Sequence, residues 1–411
     1  MAAAPLNTDL LTPLAAYLRL REASRASFLL ESVERGRLGR ASWLGTGTRI
    51  VDLGEAEALD LPVVGYLSYE AAAGFEPSVP VPAAGRNLPE SRFVVVETLV
   101  RFDHGAGVAE VLVGDADEVA RRLEGDLVAQ SHEVPFAAAP LRRLPDRATY
   151  ESWVRTCQEH IRAGDVYQAV PSQRAERPTS ASALELYRAL RRVNPSPYHF
   201  LLELEKLALI GSSPERLVSC EDGRASVCPI AGTTHPGDGE AERLLASEKD
   251  RAEHVMLVDL GRNDLSRACV AGSVRVERFM DVERFSHVTH LVSEVVGELR
   301  PGVTPFELLR DCFPAGTVTG APKIRAMQLI AELEDYRRGP YAGAVGYVLP
   351  GGTMDTCIAL RTIVLHEGVA LLQAGAGVVA DSDPAAEYEE CLRKLAALEA
   401  AIDLAERERA G

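Results

Sequence analysis

The sequence predicts an α+β fold made of antiparallel sheets, with the helices grouped apart from the strands. Its 411 residues are 46% hydrophobic and 25% charged, which are the proportions of a globular protein with a sizeable core. Strand-like runs separated by glycine turns fill residues 341–380, and strands joined by short turns pair as antiparallel hairpins. Helical periodicity over residues 149–164, 246–264 and 384–405 supplies the helical component.

Composition divides the chain into two predicted regions. Residues 1–140 carry short apolar segments, such as RFVVVETLVRF, and no strong motif. The stretch over residues 134–150 holds three prolines and several alanines without clear periodicity, which is typical of a linker or a crossing strand. We therefore predict an amino-terminal regulatory or structural region over residues 1–140 and a second region over residues 141–411 that carries the motifs.

Several elements have predicted ends. The helix TYESWVRTCQEHIRAG stops at Gly164, and the hairpin RLVSCEDGRASVCPI turns at the Asp-Gly pair that begins with Asp222. The helix ASEKDRAEHVMLVDLGRND is expected to close at Gly261. The last helix follows Asp383, which suits an N-cap with Pro384 at the first helical position.

The segment GDVYQAVPSQR, residues 164–174, has one polar side chain on an otherwise apolar face. As a strand, it places Val166, Gln168 and Val170 on the same side. A buried amide without hydrogen-bond partners costs about 1–3 kcal/mol, so a buried Gln168 must face a polar partner. The alternative is a half-exposed strand with Gln168 on its solvent side.

Charge and cysteine content exclude several classes of protein. The formal net charge of −16 and the lack of a basic run argue against a nucleic-acid binder. The seven cysteines form no C-x-x-C pair, so neither a disulfide framework nor a zinc site is expected. The sequence offers no basic leader before an apolar stretch and no apolar run of about eighteen residues, so we expect a cytoplasmic protein without membrane contact. A small anionic substrate would require a local positive charge or a bound cation.

Two glutamates on predicted helices are candidate metal ligands. Glu253 and Glu390 each precede apolar residues that should face the core. Two carboxylates in one cavity form a hard oxygen site of the kind that Mg²⁺ takes, with water and an anionic ligand completing its octahedron. The alternatives are an i,i+4 ion pair between Glu390 and Lys394, and a solvated Glu253.

Three features are suited to hold an anion. FPAGTVTGAPKIRAM is a glycine-rich turn entering a helix, with Pro322 near the first helical position and Lys323 at its mouth, but it lacks P-loop spacing. In QAGAGVVADS, the amides of Gly375 and Gly377 have no Cβ to obstruct a carboxylate. Arg361, in the apolar strand CIALRTIVL, would be stabilised by a bidentate carboxylate, with a buried structural salt bridge as the alternative.

Two further residues are candidates for proton transfer. Glu215 follows a proline at the head of a strand, and a carboxylic acid in an apolar pocket can keep its proton near neutral pH and act as a general acid. His290 can transfer protons at physiological pH, although a lone histidine is more often structural.

Seven motifs follow one another between residues 148 and 403: GSSPERLV, PIAGT, AEHVMLVDLGRNDL, HLVSEVVGEL, FPAGTVTGAPK, GPYAGAVGY and QAGAGVVADS. Together they resemble the chorismate-utilising enzymes, and the anthranilate synthases (component I) among them. The resemblance implies antiparallel sheets packed in a sandwich with helices around the outside. It also implies that residues 141–411 form a chorismate-binding catalytic region.

The same resemblance implies an activity and its residues. The activity is the Mg²⁺-dependent conversion of chorismate and ammonia to anthranilate and pyruvate, the first step of tryptophan biosynthesis. Glu253 and Glu390 match the Mg²⁺ ligands, Glu215 matches the acid that protonates the departing C4 hydroxyl, and His290 matches a histidine linked to pyruvate loss. The implied substrate-binding residues are Ala231, Gly232, Thr233, Thr317, Lys323, Tyr341, Arg361, Gly375 and Gly377.

Two positions favour amination over the addition of water. Relatives that add water place a lysine base at the position of Gln168, because water must lose a proton before it attacks, whereas ammonia already has a nucleophilic lone pair. Many aminodeoxychorismate synthases carry an attacking lysine at the position of Ala231. We therefore expect direct addition of ammonia at C2 of chorismate, beside an uncharged Gln168 in the catalytic site.

The source of ammonia is predicted to be a partner. None of the seven cysteines has the glycine-flanked setting of a glutaminase nucleophile. We infer that a separate glutamine amidotransferase subunit (component II) supplies the ammonia, with free ammonia as a slower substitute.

Two segments resemble the tryptophan-binding segments of the family. FLLESVERG contains Glu31 and Ser32, which are suited to the polar groups of an amino acid, although an ordinary strand end is the alternative. NPSPYHF is expected to meet the indole ring, and His199 stands where the family usually has methionine. Feedback inhibition by tryptophan is therefore expected. The predicted effector-binding residues are Glu31, Ser32, Pro197, Tyr198, His199 and Phe200.

Two other functions are considered. An aminodeoxychorismate synthase would use the same site and partner, but would retain pyruvate and aminate chorismate at C4. A catalytically silent amino-acid-binding subunit is disfavoured because Glu215, Glu253, His290, Arg361 and Glu390 are all present.

Overall fold

The computed structural model describes residues 4–6, 11–22, 25–31, 41–125, 139–234, 237, 239–284 and 289–410. Its strands pair in antiparallel fashion in two large sheets and one small one, with helices on the outer faces, so the predicted α+β class is confirmed. No helix in these ranges is both long enough and apolar enough to cross a lipid bilayer.

The strands are short, and most are joined by tight turns. In chain order they are β1 Ala4–Leu6, β2 Ala26–Glu31, β3 Ala41–Gly47, β4 Ile50–Val51, β5 Val63–Leu67, β6 Ser91–Val95, β7 Thr98–Asp103, β8 Val108–Val113, β9 Arg142–Leu144, β10 Gln168–Ala169, β11 Ser172–Pro178, β12 Tyr198–Leu204, β13 Leu207–Ser213, β14 Arg216–Glu221, β15 Arg224–Val227, β16 Ile230–Thr234, β17 Arg275–Arg284, β18 Thr289–Glu298, β19 Gly320–Ala321, β20 Ala344–Val348, β21 Met354–Ile358, β22 Thr362–His366 and β23 Val369–Gly375.

The helices fall between these strands and at the end of the chain. They are α1 Pro13–Leu20, α2 Leu53–Glu57, α3 Ala72–Phe75, α4 Ala116–Glu124, α5 Arg147–Ala163, α6 Ala183–Val193, α7 Glu240–Ala246, α8 Glu248–Ala268, α9 Pro305–Cys312, α10 Lys323–Leu333 and α11 Pro384–Ala410.

Each large sheet combines early and late parts of the chain. The first sheet has the order β1-β8-β7-β3-β2-β12-β13-β22-β23-β11-β9. The second has the order β16-β18-β15-β14-β21-β20-β5-β6-β4, with β17 paired to β18. Strands from residues 1–140 therefore continue sheets whose other strands come from residues 141–411. The predicted boundary borders residues 126–138, which lie outside the described ranges, and it stays a prediction.

The core has layers on both sides of each sheet. Side chains of both sheets, including Phe28, Tyr66, Phe200 and Val345, form one apolar cluster between them. A second cluster joins the first sheet to α1, α6 and α11, and a third joins the second sheet to α8 and α9. The molecule is therefore a sandwich of sheets covered by helices. Phe28 and Phe200 are 0% and 1% exposed, so truncating either to alanine would cost about 3–5 kcal/mol.

Most of the predicted element ends are confirmed. Gly164 ends α5 in the left-handed conformation, with φ of 84°. The turn between β14 and β15 has positive φ at Asp222 and Gly223, as a two-residue hairpin with its twist requires. The Asp383 carboxylate accepts a hydrogen bond of 2.8 Å from the Ala386 amide, as expected of an N-cap.

Two predicted placements, those of Gly261 and Arg361, are wrong. Gly261 does not end α8 but lies inside it, where a Cβ would stand 2.9 Å from Cγ2 of Val227, so glycine lets the helix approach the second sheet closely. Pro322 is the N-cap of α10, one residue before its first helical position, as expected of a proline near the start of the helix. Arg361 lies between β21 and β22 with φ of 46°, rather than within one continuous strand.

Candidate active site

Gln168 faces a carboxylate on a distant helix. It lies on the short strand β10, which pairs with β19 through the register Gln168↔Ala321, and it is only 3% exposed. Its Nε2 donates a hydrogen bond of 3.1 Å to Oε1 of Glu253 on α8. The half-exposed alternative is therefore wrong, and the buried amide has the polar partner that its burial demands.

The lack of a side chain at Gly377 leaves room for the amide group of Gln168. A Cβ on Gly377 would stand 2.6 Å from Nε2 of Gln168, well inside van der Waals contact. A side chain at position 377 would therefore displace Gln168 from Glu253. The Gly375–Gly377 segment is thus shaped for the close approach of other groups of the chain, and its contact with a ligand stays a prediction.

Glu390 reaches the same segment from the other side. Its Oε1 lies 2.8 Å from Nζ of Lys394, one turn further along α11, and both side chains are partly exposed. Nζ of Lys394 also donates a hydrogen bond of 2.8 Å to the Gly375 carbonyl. The i,i+4 ion pair considered from the sequence is therefore present, and it ties Glu390 to the glycine segment.

The two glutamates fit the donor set of a magnesium site. Glu253 bonds to Gln168, which lies beside Gly377, and Glu390 pairs with Lys394, which bonds to the Gly375 carbonyl, so each carboxylate is linked to this segment through one other side chain. Within the described ranges, no group of three or more His, Cys, Asp or Glu side chains is arranged to hold a metal by itself. Mg²⁺ commonly takes one or two protein carboxylates and completes its octahedron with water and an anionic substrate, which matches this pair. The metal ligands stay a prediction.

Glu215 has the environment of a general acid. It immediately precedes β14, and its Oε1 accepts a hydrogen bond of 3.0 Å from Oγ1 of Thr317. Burial raises the pKa of the Glu215 carboxyl to about 8, and the Thr317 hydrogen bond and the Lys394 charge oppose this rise. The carboxyl is therefore largely protonated at neutral pH. Glu215 and Thr317 line a cavity of about 50 Å³ that extends along α8 to Asp264.

His290 is held by a bulge in the second sheet. The pairing of β16 with β18 shifts between Ala231 and Thr233, and Gly232 between them has φ of 65°. The Gly232 carbonyl lies 3.1 Å from Nδ1 of His290. A carbonyl oxygen only accepts, so Nδ1 carries the hydrogen and Nε2 is the acceptor nitrogen. Burial, and to a smaller extent the Arg361 charge, lowers the pKa of His290, which keeps the imidazole neutral at pH 7.

Arg361 contacts the segment that carries the NPSPYHF motif. One terminal nitrogen donates a hydrogen bond of 3.2 Å to Oδ1 of Asn194. Arg361 also lies near enough to His290 to lower its pKa, which brings both predicted residues to one part of the fold. The sequence did not single out Asn194 or Lys394 as site residues. The one available signal was the i,i+4 spacing of Lys394 from Glu390.

The remaining predicted substrate residues lie around this cluster. Tyr341 is 5% exposed, and its hydroxyl lies 3.0 Å from the position of a Cβ on Gly375. Nζ of Lys323 donates hydrogen bonds of 2.8 Å to Asp264 and 3.1 Å to the Cys312 carbonyl, so it neutralises a buried carboxylate. Burial raises the pKa of Asp264, and Lys323 opposes that rise. As direct substrate contacts, these residues and Ala231, Gly232 and Thr233 stay predictions.

The predicted effector residues border a second cavity. It measures about 60 Å³ and lies beside the meeting point of the two sheets, away from Gln168 and Glu253. Trp43 and Tyr347 pack with ring centroids 4.8 Å apart at its wall. Ser32 lies outside the described ranges. The residues lining the cavity are Leu30, Glu31, Ala41, Trp43, Pro197, Tyr198, His199, Phe200, Val345, Gly346, Tyr347, Asp355 and Cys357.

Two of these residues point mainly toward α6. His199 pairs with Glu31 across β12 and β2, and its Nε2 accepts the Ser196 amide at 3.1 Å while its ring lies edge-on to Tyr187. The Glu31 carboxylate accepts a hydrogen bond of 2.5 Å from the Tyr187 hydroxyl and pairs with Arg191. Tyr198 and Phe200 face the opposite side of the strand from His199, and a contact between the His199 ring and an indole stays a prediction.

The fold and the site indicate an enzyme built as a sandwich of antiparallel sheets, with a cluster of polar side chains from α8, β10 and the turn before β14. Comparison of the sequence with known families finds a match to the chorismate binding enzymes over residues 6–400. The chain belongs to this family, and the predicted recognition and enzyme class are confirmed.

Individual relatives agree with the family match. A probable anthranilate synthase component 1 from Schizosaccharomyces pombe is 41% identical, covering 98% of this chain and 92% of that protein. Anthranilate synthase component 1 from Thermus thermophilus is also 41% identical, covering 97% and 96% respectively. Among solved structures, anthranilate synthase component I from Streptococcus pneumoniae superposes with a TM-score of 0.77 and 33% identity, covering 97% of this chain and 100% of that chain.

Proposed function

We propose that this enzyme converts chorismate and ammonia to anthranilate and pyruvate in a Mg²⁺-dependent reaction of tryptophan biosynthesis. The observation that carries the proposal is the hydrogen bond between the uncharged Gln168 and Glu253. A lysine at position 168 could act as the base for water, whereas an amide can only hold the carboxylate in place. The relatives named anthranilate synthase component 1 support the same reaction.

The proposed mechanism begins with the binding of the two carboxylates of chorismate. Glu253 and Glu390 would hold Mg²⁺, which when bound supplies positive charge for the ring carboxylate of chorismate. Arg361 and the amides of Gly375 and Gly377 would orient the enolpyruvyl carboxylate. These groups fix the ring so that C2 and the C4 hydroxyl face opposite parts of the site.

Proton transfers follow from the two perturbed groups. The protonated Glu215 donates its proton to the departing C4 hydroxyl as ammonia attacks C2, since a pKa of about 8 keeps it in the acid form at neutral pH. The neutral His290, with its hydrogen on Nδ1 toward Gly232, offers Nε2 for the C2 proton during pyruvate loss. As the C2 proton leaves, the C3–O bond breaks, the departing enolpyruvate gains a proton on its methylene carbon to become pyruvate, and the ring becomes aromatic.

Product analysis tests this reaction. The purified chain is incubated with chorismate, Mg²⁺ and ammonium at pH 8, and anthranilate fluorescence and pyruvate release are followed together. We expect equal amounts of both products. Consumption of chorismate without pyruvate would favour the aminodeoxychorismate synthase, and no consumption would favour the silent regulatory subunit.

A glutamine amidotransferase partner in the cytoplasm would deliver the ammonia. The term component 1 in the names of the relatives supports a second component. Glutamine-dependent activity should therefore appear only after such a subunit is added, whereas ammonium-dependent activity should need no partner.

We also propose that tryptophan inhibits the enzyme from the cavity beside Trp43 and Tyr198. Two contacts support a link to the catalytic groups. The Tyr198 hydroxyl accepts a hydrogen bond of 2.8 Å from Nε of Arg216, the residue after Glu215. Asn194, four residues before Tyr198, accepts the hydrogen bond from Arg361. A ligand that shifts Tyr198 or Asn194 would therefore move groups on both sides of the substrate.

Calorimetry tests the effector proposal directly. We expect tryptophan to bind the full chain with a dissociation constant below 1 mM and to slow anthranilate formation, with tyrosine as the comparison ligand. Absence of tryptophan binding at millimolar concentration would remove the proposal without affecting the catalytic one.

A further inference from the structure

One buried arginine lies behind the candidate active site without belonging to it. Arg338 follows α10 and is 5% exposed. Its Nε and one terminal nitrogen bond to the two carboxylate oxygens of Glu334 at 2.8 and 2.7 Å. This fork-to-fork pair neutralises both charges inside the protein, and the Glu334 charge raises the pKa of Arg338.

The remaining N–H groups of Arg338 bind backbone carbonyls next to predicted site residues. One terminal nitrogen donates to the Val318 carbonyl at 2.9 Å, and Val318 directly follows Thr317. The other terminal nitrogen, besides binding Glu334, donates to the Val170 carbonyl at 2.7 Å, two residues after Gln168. The guanidinium therefore joins the segments that present Gln168 to Glu253 and Thr317 to Glu215.

The same guanidinium supports Tyr341. Its carbon lies 5.7 Å from the centroid of the Tyr341 ring and 4.7 Å from that of Tyr69. These distances are within the range of cation–π attraction, which favours a fixed ring position in a buried setting. The Tyr341 hydroxyl thereby stays beside Gly375.

Glu334 links Arg338 to the strand that pairs with Gly375. Its Oε1 accepts hydrogen bonds of 2.7 Å from the Ser172 amide and 2.8 Å from the Ser172 hydroxyl. Ser172 on β11 is the register partner of Gly375 on β23. The Arg338–Glu334 pair thus contacts each segment that carries Gln168, Thr317, Tyr341 or Gly375.

We propose that Arg338 is a positioning residue of the candidate active site, which sets the relative placement of the general acid and the groups around Gln168. The proposal rests on the proposed function. Changing one partner of a purely structural buried pair lowers the stability of the protein but leaves the kcat and pH profile of its folded fraction unchanged. Changing a positioning pair alters both in the folded enzyme, since only the planar guanidinium fork reaches Glu334, Val170 and Val318 together.

The test is a set of purified variants compared at one free-ammonia concentration. Arg338→Lys keeps the charge but offers a single nitrogen, so we expect kcat to fall about 100-fold, more than KM rises, because misplacement of about 1 Å has such an effect. The Thr317 hydrogen bond lowers the pKa of Glu215. Loss of the Val318 contact should weaken this bond and so raise that pKa. The alkaline limb of the kcat/KM profile should therefore shift upward in pH.

Arg177→Lys is the matched control. Arg177 is also buried and forms an ion pair with Asp403 and Glu406 on α11, away from the segments that Arg338 joins. We expect this variant to keep the kcat and the pH profile of the original enzyme. Near-UV circular dichroism establishes the folded fraction of each protein.

Glu334→Gln is the second variant in case Arg338→Lys does not fold. It keeps the shape of the pair but places an amide against the guanidinium, so the same pH shift is expected with a smaller loss of kcat. If either folded variant retains the original kcat and pH profile, Arg338 is only structural and the inference is wrong. If the original enzyme itself forms no anthranilate, the proposed function fails instead.

Discussion

The catalytic cluster and the proposed effector cavity are organised differently. In the candidate catalytic cluster, Gln168 and Glu215 each bond to a side chain from another element, and Glu390 pairs with Lys394 one turn further along its own helix. In the proposed effector cavity, neighbouring strands supply most of the wall, which includes aromatic rings such as those of Trp43 and Tyr347. The geometry of the candidate catalytic cluster therefore depends on individual polar contacts. The shape of the cavity depends instead on strand register and on the face of the strand from which each side chain projects.

The largest expected effect is loss of a metal ligand. Glu390→Gln should lower Mg²⁺-dependent turnover more than about 100-fold, since even residues that only support metal ligands often cost 10–100-fold. Initial rates against Mg²⁺ concentration measure this effect. Glu389→Gln is the control, because Glu389 pairs with Arg147 on α5, and its rates should be unchanged. Unchanged turnover in Glu390→Gln would refute the metal assignment.

Loss of the general acid should be nearly as severe. Glu215→Gln cannot donate a proton, and we expect kcat to fall about 10²–10⁴-fold. In the original enzyme, kcat/KM at constant free ammonia should decline as pH rises above about 8, because the carboxyl loses its proton there. A flat profile between pH 7 and 9 would contradict this role for Glu215.

The same substitution should stabilise the protein at alkaline pH. The folded carboxyl titrates at about 8 and the unfolded one near its ordinary 4.5, so the folded state binds more protons between these values. The stability that proton binding by the Glu215 carboxyl contributes is fully present below pH 4.5 and is lost as pH rises through 8. Chemical denaturation at pH 9 should find Glu215→Gln more stable by about 1–2 kcal/mol, since the carboxyl keeps some solvent contact. Equal stability at pH 9 would mean that the carboxyl is not desolvated.

A charge at the centre of the catalytic cluster should have a smaller effect. Gln168→Lys would place an ammonium against Glu253 and compete with a metal for that carboxylate. We expect amination to slow about tenfold, with some addition of water, which liquid chromatography of the products would detect. A variant that aminates at the full rate would mean that the amide at 168 is incidental.

The smallest expected effect is that of Tyr198→Phe, which distinguishes tryptophan binding in the proposed effector cavity from the inhibition that the binding causes. Tyr198→Phe keeps the aromatic ring but removes the hydroxyl that bonds to Arg216. Tryptophan affinity should stay within about threefold, while inhibition at saturation weakens, because a neutral hydrogen bond contributes only about 1 kcal/mol. Tyr347→Phe, which removes another hydroxyl from the same cavity, should leave inhibition unchanged. Full inhibition of Tyr198→Phe would exclude the coupling through Arg216.

The elements were easier to predict than their contacts. Gly164, Asp222 and Asp383 act through neighbours in the sequence, so their turns and caps could be predicted. Gly261 was misassigned because the reason for a glycine there is the close approach of Val227, which lies on another element. The partner of Gln168 could not be found from the sequence, since Glu253 meets it only through a side-chain contact between residues 85 positions apart in the chain. Local chemistry therefore predicts ends and turns, while tertiary packing decides polar partners.

The interleaving of early and late strands has a consequence for any attempt to shorten the chain. Removing residues 1–140 would take β2 from beside β12 and β5 from beside β20, and would leave two long unpaired edges in the middle of former sheets. Such edges recruit other chains and lead to aggregation. Residues 141–411 are therefore not expected to fold as an autonomous fragment, and the roles of the amino-terminal strands are better tested by single substitutions than by deletion.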